Sequence, residues 1–198
     1  MGVIAAARAG SWIDRSVMAF TVIGFSLPVF VLAYILIMVF SIELDWLPVQ
    51  GYRPIRDGVW QWLRHLILPS LALGTVYMAL IARITRASML DVLSQDYVRT
   101  AQAKGLTEGS VLVGHALKNA AVPIMTVVGI GIALLIGGAI VTETVFAIPG
   151  IGRLTVDAIL RRDYPIIQGV ILIFSGAYVL INLAVDLSYM LFDPRIRM

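Results

Sequence analysis

The sequence predicts an all-α, polytopic helical membrane protein with about four spans, folded as a single domain over residues 1–198. Three observations carry that reading. The chain is 60% hydrophobic and only 14% charged, against about 25% charged residues in a soluble domain. Its mean hydropathy is +0.92. So much apolar surface cannot be hidden in one core of this size, and lipid must take the remainder. Second, the apolar residues gather into four stretches, each long enough for the roughly 20 helical residues that cross a hydrocarbon layer. Third, apolar coverage along each stretch is even rather than alternating, which speaks against a barrel. A lone segment in lipid satisfies its backbone only as a helix.

The four stretches run approximately over Val17–Ile42, Leu66–Ile84, Ala121–Val141 and Ile166–Leu187. Pro28, Pro69 and Pro123 lie in or at the ends of spans, where kinks and helix starts are tolerated. The first span follows Arg8 and Arg15, as a signal peptide would. Its apolar run is too long, and no small-x-small cleavage site follows, so it reads as an ordinary span.

Orientation follows from Lys and Arg. One set of flanks holds Arg8, Arg15, Arg83, Arg86, Arg99, Lys104, Lys118, Arg195 and Arg197; the other holds Arg53, Arg56, Arg64, Arg153, Arg161 and Arg162. The richer set, with both lysines, places both termini and residues 94–120 in the cytoplasm. The net charge of +3 is dispersed, without the aromatic-interleaved patch of a nucleic-acid binder. Cysteine is absent, which excludes disulfides and thiolate metal sites. His65 and His115 lack partners at ligand spacing, so no metal site is expected. No paired carboxylates and no Ser-His-Asp set point to a catalytic centre.

Residues 94–120 interrupt this pattern with a polar, small-residue stretch. A short helix fits from Ser94 to Lys104, with Ser94 as N-cap. Gly105 then ends it in the left-handed conformation. Thr107 caps a second helix, with Glu108 in its first turn. On that helix Val111, His115 and Lys118 share one face, with Leu112 and Ala116 on the next. On the first, Tyr97 and Ala101 stand four apart. Two short helices joined at a forced bend make a docking element; the plain alternative is a helix pair lying on lipid headgroups.

This stretch resembles the coupling loop of bacterial ABC importer permeases. The general pattern there is Glu-Ala-Ala, three residues, Gly, nine residues, Ile-x-Leu-Pro. Aligned on Gly105, Ala101 and Leu117 match, while Arg99, His115 and Lys118 depart from it. The peptide-importer branch, with "YVRTAxAKGL" and "HALxNAxxP", is closer: residues 97–106 and 115–123 fit it nearly throughout. "ETVFAIPGIGRLTVDAILRRDYPIIQG", residues 143–169, and "DPRIR", residues 193–197, resemble the outer loop and C-terminus of the same permeases.

The resemblance implies a translocation subunit of an importer for di- or oligopeptides, in the bacterial inner membrane. Such a chain binds no cofactor and is not itself an enzyme; partner subunits use the ATP. Consistent with that, the sequence carries no GxxxxGK[ST] loop. The implied partners are a second permease, two ATP-binding subunits, an extracytoplasmic solute-binding protein and lipid, with no nucleic acid. The implied coupling residues are Tyr97, Thr100, Ala101, Ala103, Lys104, Gly105, Leu106, His115, Leu117 and Asn119. Related permeases usually carry six spans, so the first two are expected to be lacking here. Alternatives are a permease for nickel or another small solute, or a non-transporting remnant. A secondary transporter is disfavoured by the scarcity of charge within the spans.

Other residues invite narrower readings. Gly129, Ala133 and Gly137 recur every four residues, a small face for helix packing. Glu143 either lines a pathway or reaches interfacial water. Asn182 and Asp186, four apart, put one polar face toward the bundle, for hydrogen bonds between helices or for contact with substrate in a pathway. "IPGIG", residues 148–152, is a turn before a short amphipathic helix, either a re-entrant or surface element or a plain loop.

Overall fold

A computed structural model describes residues 1–192, and the "DPRIR" ending lies outside the described residues. The class is all-α, as expected: no strand occurs among the described residues. The helices are α1 (Gly2–Ala7), α2 (Trp12–Ser26), α3 (Val29–Ile37), α4 (Val59–Leu93), α5 (Asp96–Ala103), α6 (Glu108–Ser110), α7 (Lys118–Val145), α8 (Ile151–Arg161) and α9 (Tyr164–Phe192). A π-helical turn, Met38–Glu43, extends α3, and another, Val111–Leu117, joins α6 to α7.

Three helical runs are long and apolar enough to cross a membrane: Val59–Leu93, Glu108–Val145 and Tyr164–Tyr189. α2 with α3 and its π turn passes the same test as a broken span. The break falls at Pro28, whose backbone is extended (ψ 141°), because the ring excludes a helical conformation at Leu27 and removes an N–H. Pro69 and Pro123 instead sit inside α4 and α7. Along the apolar part of α9 only 6% of residues are buried within the chain. Ile171, Leu172, Leu180 and Leu183 are all exposed. Such a surface is stable only against lipid or another apolar helix.

The chain divides into two compact units. The first comprises residues 1–24, 78–131 and the chain from 180 onward. Its larger core joins Ala6, Met89, Ala116 and Ala120, with Leu90, Leu93, Leu112, Leu117 and Ile124 packed around them. Two helix contacts close it further. The Gly129 backbone lies against the Val185 side chain, and the Tyr189 hydroxyl donates to Thr126 Oγ1 at 2.8 Å.

The second unit comprises residues 25–77 and 132–179. Ala33, Ile37, Leu68, Ala72 and Phe146 form its core. α7 ends there with two carbonyls that have no partner in their own helix. The loop before α4 supplies donors: Gln50 Nε2 reaches the Val145 carbonyl at 2.9 Å and the Gly51 N–H reaches that of Phe146 at 2.8 Å. Among the described residues, no buried side-chain nitrogen or oxygen lacks a hydrogen-bond partner, as an interior poor in water requires.

Candidate functional site

The candidate site is the polar element over residues 94–120, in the first unit. α4 ends at Leu93, and the Ser94 hydroxyl turns back to donate to the Asp91 carbonyl at 2.7 Å. Ser94 therefore closes the preceding helix instead of capping the next. The N-cap of α5 is Gln95, extended and without a side-chain cap bond. Asp96 compensates in the first turn, where a carboxylate favours the helix dipole.

Only one face of α5 is inward. Val98 and Ala101 are buried together with Val111, and Leu93 packs against them. Tyr97, Thr100, Ala103 and Lys104 are exposed. Sequence spacing had paired Tyr97 with Ala101, but the structure pairs Val98 with Ala101, three apart, and turns Tyr97 outward.

The bend follows at Gly105, with φ +79°. Its N–H donates to the Gln102 carbonyl at 2.9 Å, and the Leu106 N–H donates to that of Ala101 at 3.3 Å. This pair of bonds is the Schellman closure, which needs a left-handed residue at the glycine position. Gly105 is exposed, and an added Cβ would meet nothing within 4 Å. The glycine thus serves backbone conformation, not close packing.

Thr107 is extended and precedes the next helix, but its side chain makes no cap bond. From Glu108 the chain runs without a break to Val145. The expected short second helix is the beginning of a long one. The π turn over Val111–Leu117 also changes which residues face inward. With hydrogen bonds five residues apart, Ala116 falls beneath Val111; Val111, Ala116 and Ala120 are buried. The expected face of Val111, His115 and Lys118 is corrected accordingly: His115 is half-buried and Lys118 exposed.

The ten residues picked from sequence thus divide into two sets. Ala101, Leu117 and the half-buried His115 belong to the inner support. Tyr97, Thr100, Ala103, Lys104, Gly105, Leu106 and Asn119 are exposed. Asn119 Nδ2 is tied to the His115 carbonyl at 2.8 Å. Sequence spacing missed Val113, whose large apolar side chain is 65% exposed on the second helix. The result is an outcrop with an apolar underside and an outer surface mixing Lys104 with Tyr97, Leu106 and Val113.

The remaining candidates lie elsewhere. Glu143 is in the second unit, and its Oε2 accepts the Arg153 N–H at 2.9 Å. That N–H belongs to the first turn of α8, so the carboxylate caps α8 from ten residues away. Gly150 and Gly152 leave the room: a Cβ at either would collide with the carboxylate. Glu143 thereby acts as a cap of α8. Asp186 is exposed and Asn182 half-buried; further along α9, Tyr189 hydrogen-bonds to Thr126 of α7. Gly129 lies close against Val185. Gly137 is exposed with open space around it, and its neighbour Gly138 is the one pressed against Leu73 and Tyr77. The Ala133 side chain lies outside the described residues.

The family model described as binding-protein-dependent transport system inner membrane component matches residues 1–198. A protein of Sinorhizobium fredii named a probable peptide ABC transporter permease is 61% identical over 196 residues, covering 99% of this chain and 63% of its own length. The glutathione transport system permease of Escherichia coli is 50% identical, covering 99% of this chain and 61% of its own. The dipeptide transport system permease of Alkalihalophilus pseudofirmus is 46% identical over 216 residues, covering 99% and 65%. The chain thus spans somewhat less than two thirds of the relatives it matches.

Proposed function

Because the chain belongs to the family of binding-protein-dependent transport system inner membrane components, we propose that it is the membrane-spanning permease part of an ATP-driven importer of peptides. The observation that carries the mechanism is the outcrop closed at Gly105. Its inner face is fastened to the ends of α4 and α7 through Leu93, Met89, Ala116 and Ala120, and its outer face presents Tyr97, Leu106 and Val113. A partner that grips the outer face pushes on two long helices at once, since α4 ends at the outcrop and α7 begins from it.

In this reading the gripping partner is an ATP-binding subunit, one of two. A second permease covers part of the exposed apolar surface, lipid covers the rest, and a solute-binding protein delivers substrate from outside the bacterial inner membrane. The chain itself holds no ATP and breaks no bond; the energy arrives as motion of the outcrop. A peptide substrate is preferred to nickel because the relatives are named for peptide, dipeptide and glutathione transport.

The test uses the complete importer, with the full-length permease, in proteoliposomes. Labelled dipeptide should accumulate only with ATP and the binding protein, and unlabelled dipeptide, but not nickel, should compete. Accumulation of nickel without accumulation of peptide would overturn the substrate assignment.

A further inference from the structure

Asp14 and Arg86 form an ion pair outside the outcrop itself, its carboxylate buried and its guanidinium side 25% exposed. Among the described residues, the pairs Arg56–Asp57 and Arg99–Asp96 are exposed, whereas Asp14 is only 3% exposed. The contact is bidentate: Arg86 Nε donates to Oδ1 at 2.5 Å and Nη2 to Oδ2 at 2.7 Å. Oδ2 also accepts the Gly10 N–H at 2.9 Å, and the Ser11 hydroxyl accepts the Asp14 N–H at 3.4 Å. The carboxylate therefore fixes the start of α2 and the turn before it onto α4, across 72 residues of sequence.

The place of this clamp on α4 gives it meaning. Three residues beyond Arg86, Met89 packs with Ala116 and Ala120; at the end of the same helix Leu93 packs with Val98, Ala101 and Val111. Within the turn before the clamp, Ala82 and Thr85 press on the Gly2 backbone of α1. The last two turns of α4 are thus held by the coupling outcrop and by the N-terminal segment together. An ion pair so placed adds little net stability over an apolar substitute. Its planar two-bond geometry instead permits one register and resists sliding.

We propose that Asp14 and Arg86 are positioning residues of the transport stroke, locking α2 to α4 so that a displacement of the outcrop moves both. The proposal rests on the reading of residues 94–120 as the ATPase-coupling element. α2 then moves with α4 as one body, although α2 lies outside the outcrop.

The experiment uses the complete importer in proteoliposomes, with peptide uptake and ATP hydrolysis measured on the same sample. Asp14→Asn keeps the shape and an acceptor for Gly10 but leaves the guanidinium unpaired; Arg86→Lys keeps the charge and loses the fork. Both should assemble, retain the ATP-binding subunits and hydrolyse ATP near the unmodified rate. Peptide delivered per ATP should fall about fivefold or more for Asp14→Asn, the lower range for coupling between two sites, and less for Arg86→Lys. An unchanged ratio in an assembled complex overturns the proposal. So does failure of both variants to assemble, which would make the pair a folding contact only. Gly105→Val separates the two readings. If it uncouples transport while Asp14→Asn does not, the ion-pair proposal alone fails. If it leaves transport and ATPase binding intact, the coupling reading fails and takes the ion-pair proposal with it.

Discussion

Substitution of Gly105 isolates one physical quantity, the cost of a left-handed backbone at the bend. φ is +79° and a Cβ meets nothing within 4 Å, so steric packing contributes nothing and conformation everything. An L-residue with a Cβ pays about 1–2 kcal/mol there, and a β-branched residue sits at the upper end. Asparagine tolerates the region better than other non-glycine residues. Relief by flipping φ would break the Gly105–Gln102 and Leu106–Ala101 hydrogen bonds. Each bond is worth about 1 kcal/mol, so the bend has no cheap escape. One to two kcal/mol changes a local equilibrium by a factor of about 5–30. Transport should therefore fall in the order Gly, Asn, Ala, Val in the complete importer. Co-purification of the ATP-binding subunits should fall in parallel, and membrane abundance should stay near that of the unmodified chain. Equal activity of Gly105→Asn and Gly105→Val, whether both high or both low, would refute the argument from φ.

Three further outcomes follow from particular contacts. Glu143→Ala removes the acceptor for the Arg153 N–H and should loosen α8 by about 0.5–2 kcal/mol, read as faster amide exchange confined to residues 151–161; unchanged exchange there would contradict the capping role. Gly138→Leu drives a side chain into Leu73 and Tyr77, whereas Gly137→Leu enters open space, so thermal unfolding of the isolated permease in detergent should be lowered by the first and not by the second. Ala147 is left-handed at φ +53° where α7 closes through Ile148 to the Glu143 carbonyl; Ala147→Gly relieves about 1 kcal/mol of backbone strain, partly offset by glycine's greater freedom when unfolded, and should leave the melting temperature unchanged or slightly raised. A marked drop would show that the alanine methyl packs.

What was legible in the sequence follows physical range. The apolar stretch Leu66–Ile84 marks what lipid must cover, yet α4 extends from Val59 to Leu93, because polar residues continue a helix that has already started. Gly105 was legible because the left-handed position after a helix is a local demand on one residue type. The inward face of the second helix was not. A 3.6-residue period groups Val111 with His115, and nothing local announces that the turn is π-helical. Glu143 and Asp14 were illegible for another reason. Each finds its partner through the fold, ten residues away in one case and 72 in the other. Charge counting treated Arg86 as one flank residue among nine, when its guanidinium is the partner of a buried carboxylate. Gly137 and Gly138 show the limit of spacing rules: a one-residue shift on a helix turns a side chain by about 100°, enough to separate open space from close contact.

The central claim is that the outer face of residues 94–120 is gripped by an ATP-binding subunit. Site-specific photo-crosslinking in the assembled importer tests it most directly, with the probe placed in turn at Leu106, Val113 and Leu172. All three positions are exposed within the chain, but only the first two lie on the outcrop. The account predicts crosslinks to the ATP-binding subunit from Leu106 and Val113 and none from Leu172. Crosslinks to that subunit from Leu172, with none from Leu106 or Val113, would contradict it.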